Sequence, residues 1–126
     1  MKQLIILSMA VALAIGLGLW VNHSLEVASQ DLCQSIQVLT KEVEQGNWQE
    51  ASGKVEHLEK QWQEIGSWWP VVLDHQEIDN IEFSLAKLKE YVAAKNRALS
   101  MGSLSELKLM ILHLPEKETV NLKNIL

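Results

Sequence analysis

An uninterrupted apolar stretch near the amino terminus constrains the fold of this chain more than any other feature. Residues 4–21, LIILSMAVALAIGLGLWV, contain no charged side chain, and Ser8 is the one clearly polar residue. Eighteen residues of α-helix rise about 27 Å at about 1.5 Å each, close to the roughly 30 Å hydrocarbon core of a bilayer. The stretch therefore predicts a single membrane-spanning helix.

Two alternatives exist for this span, an uncleaved signal anchor and a removed signal peptide. Ala12-Leu13-Ala14 has the small-x-small pattern of a cleavage site, but seven more apolar residues follow it. Cleavage after Val27-Ala28-Ser29 would need an apolar region longer than the usual length of about 7–15 residues. We therefore expect an anchor. Its main lipid-facing side chains are Leu4, Ile5, Ile6, Leu7, Leu13, Ile15, Leu17, Leu19, Trp20 and Val21.

The distribution of basic residues predicts the orientation of the span. Lys2 and the amino terminus precede it, whereas no Lys or Arg follows it before Lys41. By the positive-inside rule, the amino terminus is cytoplasmic. We therefore expect residues 1–21 to be a cell-membrane anchor and residues 22–126 to form one extracytoplasmic domain.

Charge and cysteine content limit what this domain can be. Since Lys2 is one of the chain's 11 basic residues, the domain carries 10 basic and 16 acidic side chains, a formal net charge of −6. Nucleic-acid binding, which depends on a basic surface, is disfavoured. Cys33 is the one cysteine, so packing must hold the domain together without an internal disulfide. We expect a buried Cys33, with an intermolecular disulfide across a parallel dimer as the alternative.

Apolar residues after the span recur at helical spacing in four amphipathic segments, the first of them coiled-coil-like. Gly46, Gly66 and Gly102-Ser103 separate the segments, and Pro115 is expected to interrupt the last. The sequence thus predicts an all-α fold in which a transmembrane helix is followed by an antiparallel bundle of about four helices. The expected core residues are Leu25, Leu32, Ile36, Leu39 and Val43; Trp48, Ala51, Val55, Leu58, Trp62 and Ile65; Ile78, Ile81, Leu85, Leu88, Val92 and Leu99; Leu104, Leu107, Met110, Ile111 and Leu114.

Three capping boxes are expected to start helices, because an N-cap side chain followed three residues later by Glu satisfies free backbone donors. The pairs are Asn47 with Glu50, Asp74 with Glu77, and Ser103 with Glu106.

The acidic stretch that follows Asp74 has a second interpretation. Helical spacing allows His75, Asp79 and Glu82 to face one side and hold a divalent cation. A plain helix start explains the same residues, because acids in the first turn suit the helix dipole and His75 and Asp79 form an i,i+4 pair. We expect the helix start, and therefore no metal or other cofactor.

Two apolar features are candidates for contact with a partner. Leu109 and Leu112 lie off the face set by the other apolar residues of the fourth segment, so one face cannot bury them all. They either pack within the domain or form an interface with a partner or a second copy. Trp68 and Trp69 either fill the end of the bundle or contact a partner or the membrane, which an up-and-down helix order places within about 10 Å.

The sequence contains no His-Glu-x-x-His, Gly-x-Ser-x-Gly, phosphate-loop or paired-cysteine motif, so we expect no enzyme activity. The charge-poor span, the spaced tryptophans, the DHQEIDNI stretch and the closing NIL resemble a bacterial family, domain of unknown function 4363. The resemblance covers nearly the whole chain. It implies a small, single-anchor helical protein and brings no catalytic residues.

Together these features predict a non-enzymatic interaction or scaffolding module of the bacterial cell envelope. The bilayer holds it through residues 4–21, and a protein partner or a second copy binds its body. The alternative is an extracytoplasmic ligand- or metal-sensing bundle that acts through a membrane partner. Its site would be built around His75, Glu77, Asp79 and Glu82.

Overall fold

The structure, a computed structural model, describes the backbone of residues 1–66 and 74–125 and the side chains of those residues up to Leu114. Within these ranges the chain is all-helical and contains no strand. Four helices are present: α1 (Lys2–Gln45), α2 (Trp48–Ile65), α3 (His75–Ala93) and α4 (Arg97–Ile125). The predicted all-α class is confirmed.

The helices form a bundle in which each packs against the next in the chain and α4 returns to α1. Two polar contacts define the direction of α2 relative to α1. The Ser35 hydroxyl donates to Gln61 Oε1 at 2.8 Å, and the Lys54 ammonium lies 4.0 Å from the Glu42 carboxylate. Because the residue number rises along α1 as it falls along α2, the two helices are antiparallel.

The core is made of the residues that the apolar spacing predicts. All of those expected core residues are buried or half-buried except Leu99, which is 49% exposed. Burying a large aliphatic side chain stabilises the fold by about 1.5–3 kcal/mol. Among the side chains that the structure describes, eighteen buried apolar residues from all four helices form one cluster, which is the core of the bundle.

The corner between α1 and α2 begins at Gly46, as predicted, but Asn47 behaves differently from the prediction. Gly46 adopts a left-handed conformation with φ 73°, which glycine does without steric cost. Asn47 is the residue before α2, yet its side chain makes no capping bond. Its amide instead donates back to Glu42 and Gln45 at the end of α1, at 3.1 and 3.2 Å. The expected Asn47–Glu50 capping box is therefore wrong.

The break between α3 and α4 lies earlier than predicted. Lys95 takes a left-handed φ of 56°, and the Asn96 side chain accepts a hydrogen bond from the backbone N–H of Leu99 at 3.0 Å. This bond caps α4, so Leu99 belongs to α4 instead of the face of α3. Gly102 lies inside α4, where a glycine costs about 1 kcal/mol relative to alanine without ending the helix.

Two further expectations for α4 are wrong. Ser103 does not start a helix with Glu106. It is buried against α3, where its hydroxyl donates to the Ser84 carbonyl at 3.5 Å. The helix also continues through Pro115 to Ile125.

The first helix runs without a break from its apolar end into the bundle. It contains 44 residues, which corresponds to a length of about 66 Å. Its amino-terminal part is long and apolar enough to cross a membrane, and none of that apolar window is buried in the structure. A membrane anchor and a signal sequence both meet this criterion.

Candidate partner-binding surface

The outer side of α4 carries two large apolar side chains that the bundle does not bury. Leu109 is 58% exposed and Leu112 is 44% exposed. Leu107, Ile111 and Leu114 occupy the inner face of the same helix and are buried. One stripe of a helix contacts the core, so leucines on other sides stay in solvent. Binding of a partner at Leu109 and Leu112 stays a prediction.

A groove of about 330 Å³ runs between α3 and α4 beside this surface. We call it the α3–α4 groove. Its apolar lining consists of Ile81, Leu109, Met110 and Leu114, and its polar lining consists of Glu77, Asn80, Glu106 and His113. Ile81 and Leu114 are buried and Met110 is half-buried, so the floor of the groove is continuous with the core.

The polar side chains of the α3–α4 groove give it a negative character. Glu77 lies on the α3 side and Glu106 on the α4 side, so each wall contributes a carboxylate. Within the described residues the Glu106 carboxylate has no ion-pair partner. His113 Nδ1 donates to the Leu109 carbonyl at 2.6 Å, because a carbonyl oxygen can only accept. This bond fixes the orientation of the imidazole on its own helix.

Comparison with protein-family models identifies the family of the chain. The model described as Domain of unknown function (DUF4363) matches residues 19–125. The chain belongs to the DUF4363 family. No curated protein and no solved structure matches it. The matched region begins near the end of the apolar span, so the helical body and the α3–α4 groove both lie within the DUF4363 domain.

In this DUF4363 protein the acidic stretch at the start of α3 caps the helix. Asp74 Oδ1 accepts a hydrogen bond from the backbone N–H of Gln76 at 3.4 Å, which confirms Asp74 as the N-cap. His75, Asp79 and Glu82 are all exposed. In the part of the chain that the structure describes, no three His, Cys, Asp or Glu side chains are grouped so that they could hold a metal ion.

Cys33 of the DUF4363 domain is buried, as predicted. Burial raises the pKa of its thiol above the ordinary value, and the nearby Lys108 ammonium partly opposes that rise. The thiol is therefore protonated at neutral pH, whereas disulfide exchange requires a thiolate. A disulfide between two copies stays a prediction, and it would require exposure of this buried thiol.

Four of the five tryptophans follow the apolar span, and the structure describes two of these four. Trp62 is buried and Trp48 is half-buried against the core, as their spacing predicts. Trp68 and Trp69, which were expected to fill the end of the bundle or to contact a partner or the membrane, lie outside the described residues.

A second groove, between α1 and α2, is larger and more polar. It has a volume of about 590 Å³, and Gly53 leaves it open because no side chain projects there. Asp31 contributes negative charge, whereas Lys54 contributes positive charge. Sequence reasoning missed both grooves. Each arises where two helices meet, and the spacing within one helix carries no signal for it.

Proposed function

We propose that this DUF4363 protein is a non-enzymatic, membrane-anchored interaction or scaffolding module of the bacterial cell envelope. The observation that carries the proposal is the exposed pair Leu109 and Leu112 beside the α3–α4 groove. Single exposed leucines are common on protein surfaces. An exposed leucine that lines an open apolar groove is a different case, because one partner can cover the leucine and fill the groove at the same time.

The anchor and its orientation are supported by the sequence at both ends of the span. Residues 4–21 carry no charge, and the first basic residue after them is Lys41. Trp20 lies at the end of the span near the helical body and is 62% exposed. An indole in this position is typical of the headgroup layer. In this arrangement the amino terminus is cytoplasmic and the DUF4363 body faces the outside.

A ligand-sensing bundle is the second candidate function. One observation favours it. Glu77, which belongs to the acidic stretch at the start of α3, lines the α3–α4 groove. His75, Asp79 and Glu82 do not line that groove. A sensing site would therefore combine Glu77 with Glu106 and His113, and would transmit its signal through a membrane partner.

Crosslinking in intact bacterial cells tests the scaffolding proposal. A photoreactive amino acid is placed at position 112, and the Leu109→Glu variant is compared with the unchanged sequence. We expect Leu109→Glu to reduce the crosslinked partner by about tenfold or more, because a buried charge at an interface centre costs about 2 kcal/mol or more. Val38→Glu is the matched control, since Val38 is an exposed apolar residue of α1, 42% accessible.

Circular dichroism of both purified variants shows whether the helices are retained. If Leu109→Glu leaves the crosslinks unchanged, or if Val38→Glu removes them equally, the outer side of α4 is not the interface and the proposal fails. A crosslink between two copies of the chain would support a homo-oligomeric scaffold.

A further inference from the structure

The α3–α4 groove begins next to a point of close contact between its two helices. At that point the Ser103 hydroxyl reaches the Ser84 backbone carbonyl, so α4 touches the main chain of α3. Ile81, about one turn before Ser84 on α3, and Met110, about two turns after Ser103 on α4, line the space between the helices. The close contact at the two serines thus marks one end of the groove, and the floor of the groove is apolar.

The size and shape of this surface favour an elongated occupant. A volume of about 330 Å³ is at the low end of the range of roughly 300–1,000 Å³ for small-molecule pockets. The exposed apolar surface continues beyond the groove, because Leu109 lines it and Leu112 follows three residues later on α4. A small ligand held inside the groove leaves the outer part of Leu109 in solvent, whereas a helix laid along the groove covers it.

The charge of the groove selects the chemistry of that helix. Glu77 and Glu106 place a carboxylate on each wall, and Glu106 has no ion-pair partner among the described residues. An acidic ligand is therefore repelled and a Lys or Arg side chain is attracted. The acidic excess of the whole chain, with formal net charge −5, acts in the same direction. A second copy of the chain carries the same negative charge, so self-association at this site is disfavoured.

The position of the groove relative to the span indicates where the partner lies. The Ser29 hydroxyl donates to the Ile111 carbonyl at 3.3 Å, and Ile111 lies, along the chain, among the residues of α4 that line the groove, so this part of α4 is level with Ser29. Eight residues of α1 separate Ser29 from Val21, a rise of about 12 Å. With residues 4–21 in the bilayer, a helix bound in the groove lies close to the membrane surface.

We propose that the α3–α4 groove binds a basic amphipathic helix of a membrane-proximal partner protein. The helix inserts apolar side chains over Ile81 and Met110 and directs Lys or Arg to Glu77 and Glu106. This is helix-in-groove recognition, in which anchors at i, i+3, i+4 and i+7 contact the groove. The inference rests on the proposed scaffolding function and names the chemistry of its partner.

Fluorescence anisotropy with designed peptides tests the inference. The full chain is placed in nanodiscs of zwitterionic phosphatidylcholine, and the probe is a labelled 18-residue helical peptide. That peptide has Leu at i, i+3, i+4 and i+7 and Lys at the flanking positions. Glu77→Gln combined with Glu106→Gln removes the two charges and keeps the side-chain size. We expect the double variant to bind the peptide about three- to tenfold more weakly, the range for two partly exposed charge pairs.

Matched controls separate the effect of the two groove carboxylates from the attraction of a basic peptide to the acidic protein as a whole. Glu50→Gln combined with Glu56→Gln removes two exposed charges of α2 and should leave the affinity within about twofold. A peptide with Glu in place of each Lys should bind the unchanged protein at least tenfold more weakly. Raising the salt concentration should reduce the difference between the groove variant and the unchanged protein. Empty nanodiscs measure the binding of peptide to lipid.

Three results would overturn the inference. The first is equal affinity for the Lys and Glu peptides, and the second is an unchanged affinity in the groove variant. The third is self-association that depends on Leu109 and blocks the peptide, which would make a second copy the occupant. The groove variant in the cellular crosslinking experiment separates the two proposals. If crosslinks persist in that variant but are lost with Leu109→Glu, scaffolding stands and the basic-helix inference fails.

Discussion

The two parts of α1 are one continuous helix with opposite surface chemistry. Residues 4–21 are apolar around the whole circumference, and every large apolar side chain from Leu4 to Trp20 is exposed. Residues 22–45 bury one stripe, and their exposed positions are polar except for Val27 and Val38. A stripe is sufficient where water covers the other side, whereas lipid favours apolar side chains in every direction. The first pattern is what a membrane-spanning helix requires, and the second is what a helix on the surface of a bundle requires.

The same truncation in each part should have different consequences for folding. Leu32→Ala removes a fully buried side chain, so we expect the free energy of unfolding of the body to fall by about 2–5 kcal/mol. Leu13→Ala removes an apolar side chain of the span that is 65% exposed and should change that free energy by less than about 0.5 kcal/mol. Urea unfolding in nanodiscs, followed by tryptophan fluorescence, measures both. Equal effects would mean that the apolar part of α1 packs on the bundle.

The same charge in each part should have different consequences for membrane insertion. Leu13→Arg should disfavour insertion by about 3 kcal/mol, because arginine at the centre of a span costs about 2.5–3.5 kcal/mol. Val38→Arg places the charge on a water-facing position and should leave insertion unchanged. Alkaline extraction of membranes from cells measures the retained fraction. If Leu13→Arg is retained as fully as Val38→Arg, residues 4–21 do not span the bilayer.

Cys33 should make the stability of the body depend on pH, whereas the span contains no titrating group. Burial raises the thiol pKa in the folded protein, so the unfolded chain loses this proton at a lower pH than the folded protein does. The contribution of the protonated thiol to the free energy of unfolding is therefore fully present below the ordinary thiol pKa. It is lost as the pH rises through the raised pKa of the folded protein. We expect a decline of at most about 1.4 kcal/mol per pH unit above roughly pH 8.5.

Urea unfolding at several pH values measures this decline. Cys33→Ala is the control, since it removes the thiol and should flatten the pH dependence, whatever its effect at neutral pH. An equal decline in both proteins would assign it to other groups.

Apolar spacing was sufficient to predict the helices and their buried faces, because each face is a property of a single segment. The boundaries were harder. Lys95 takes a left-handed conformation that its identity does not suggest, whereas Gly102 looks like a break but lies inside a helix. Packing between helices decides such positions, and a single sequence does not show which side chains meet.

The α3–α4 groove shows the same limit. The sequence predicts Glu106 in a capping box and Met110 in the core, and both predictions rest on spacing within one segment. The structure brings these two residues together with Glu77 of another helix to line one surface. A signal did exist in the sequence, because Leu109 and Leu112 exceed what one face can bury. These two extra leucines indicate an exposed apolar surface on α4, but they do not indicate the carboxylates that line the groove beside it.

The unbroken passage of α1 from the apolar part into the bundle has a mechanical consequence. Between Asn22 and Gln45 the helix contains neither proline nor glycine, so it has no built-in hinge there. Rotation of the amino-terminal part about its axis must then turn the bundle by the same angle. One residue added at the junction would swing the α3–α4 groove through about 100° and lift it about 1.5 Å. The direction in which that groove faces is thus fixed by the rotational orientation of the amino-terminal part of α1.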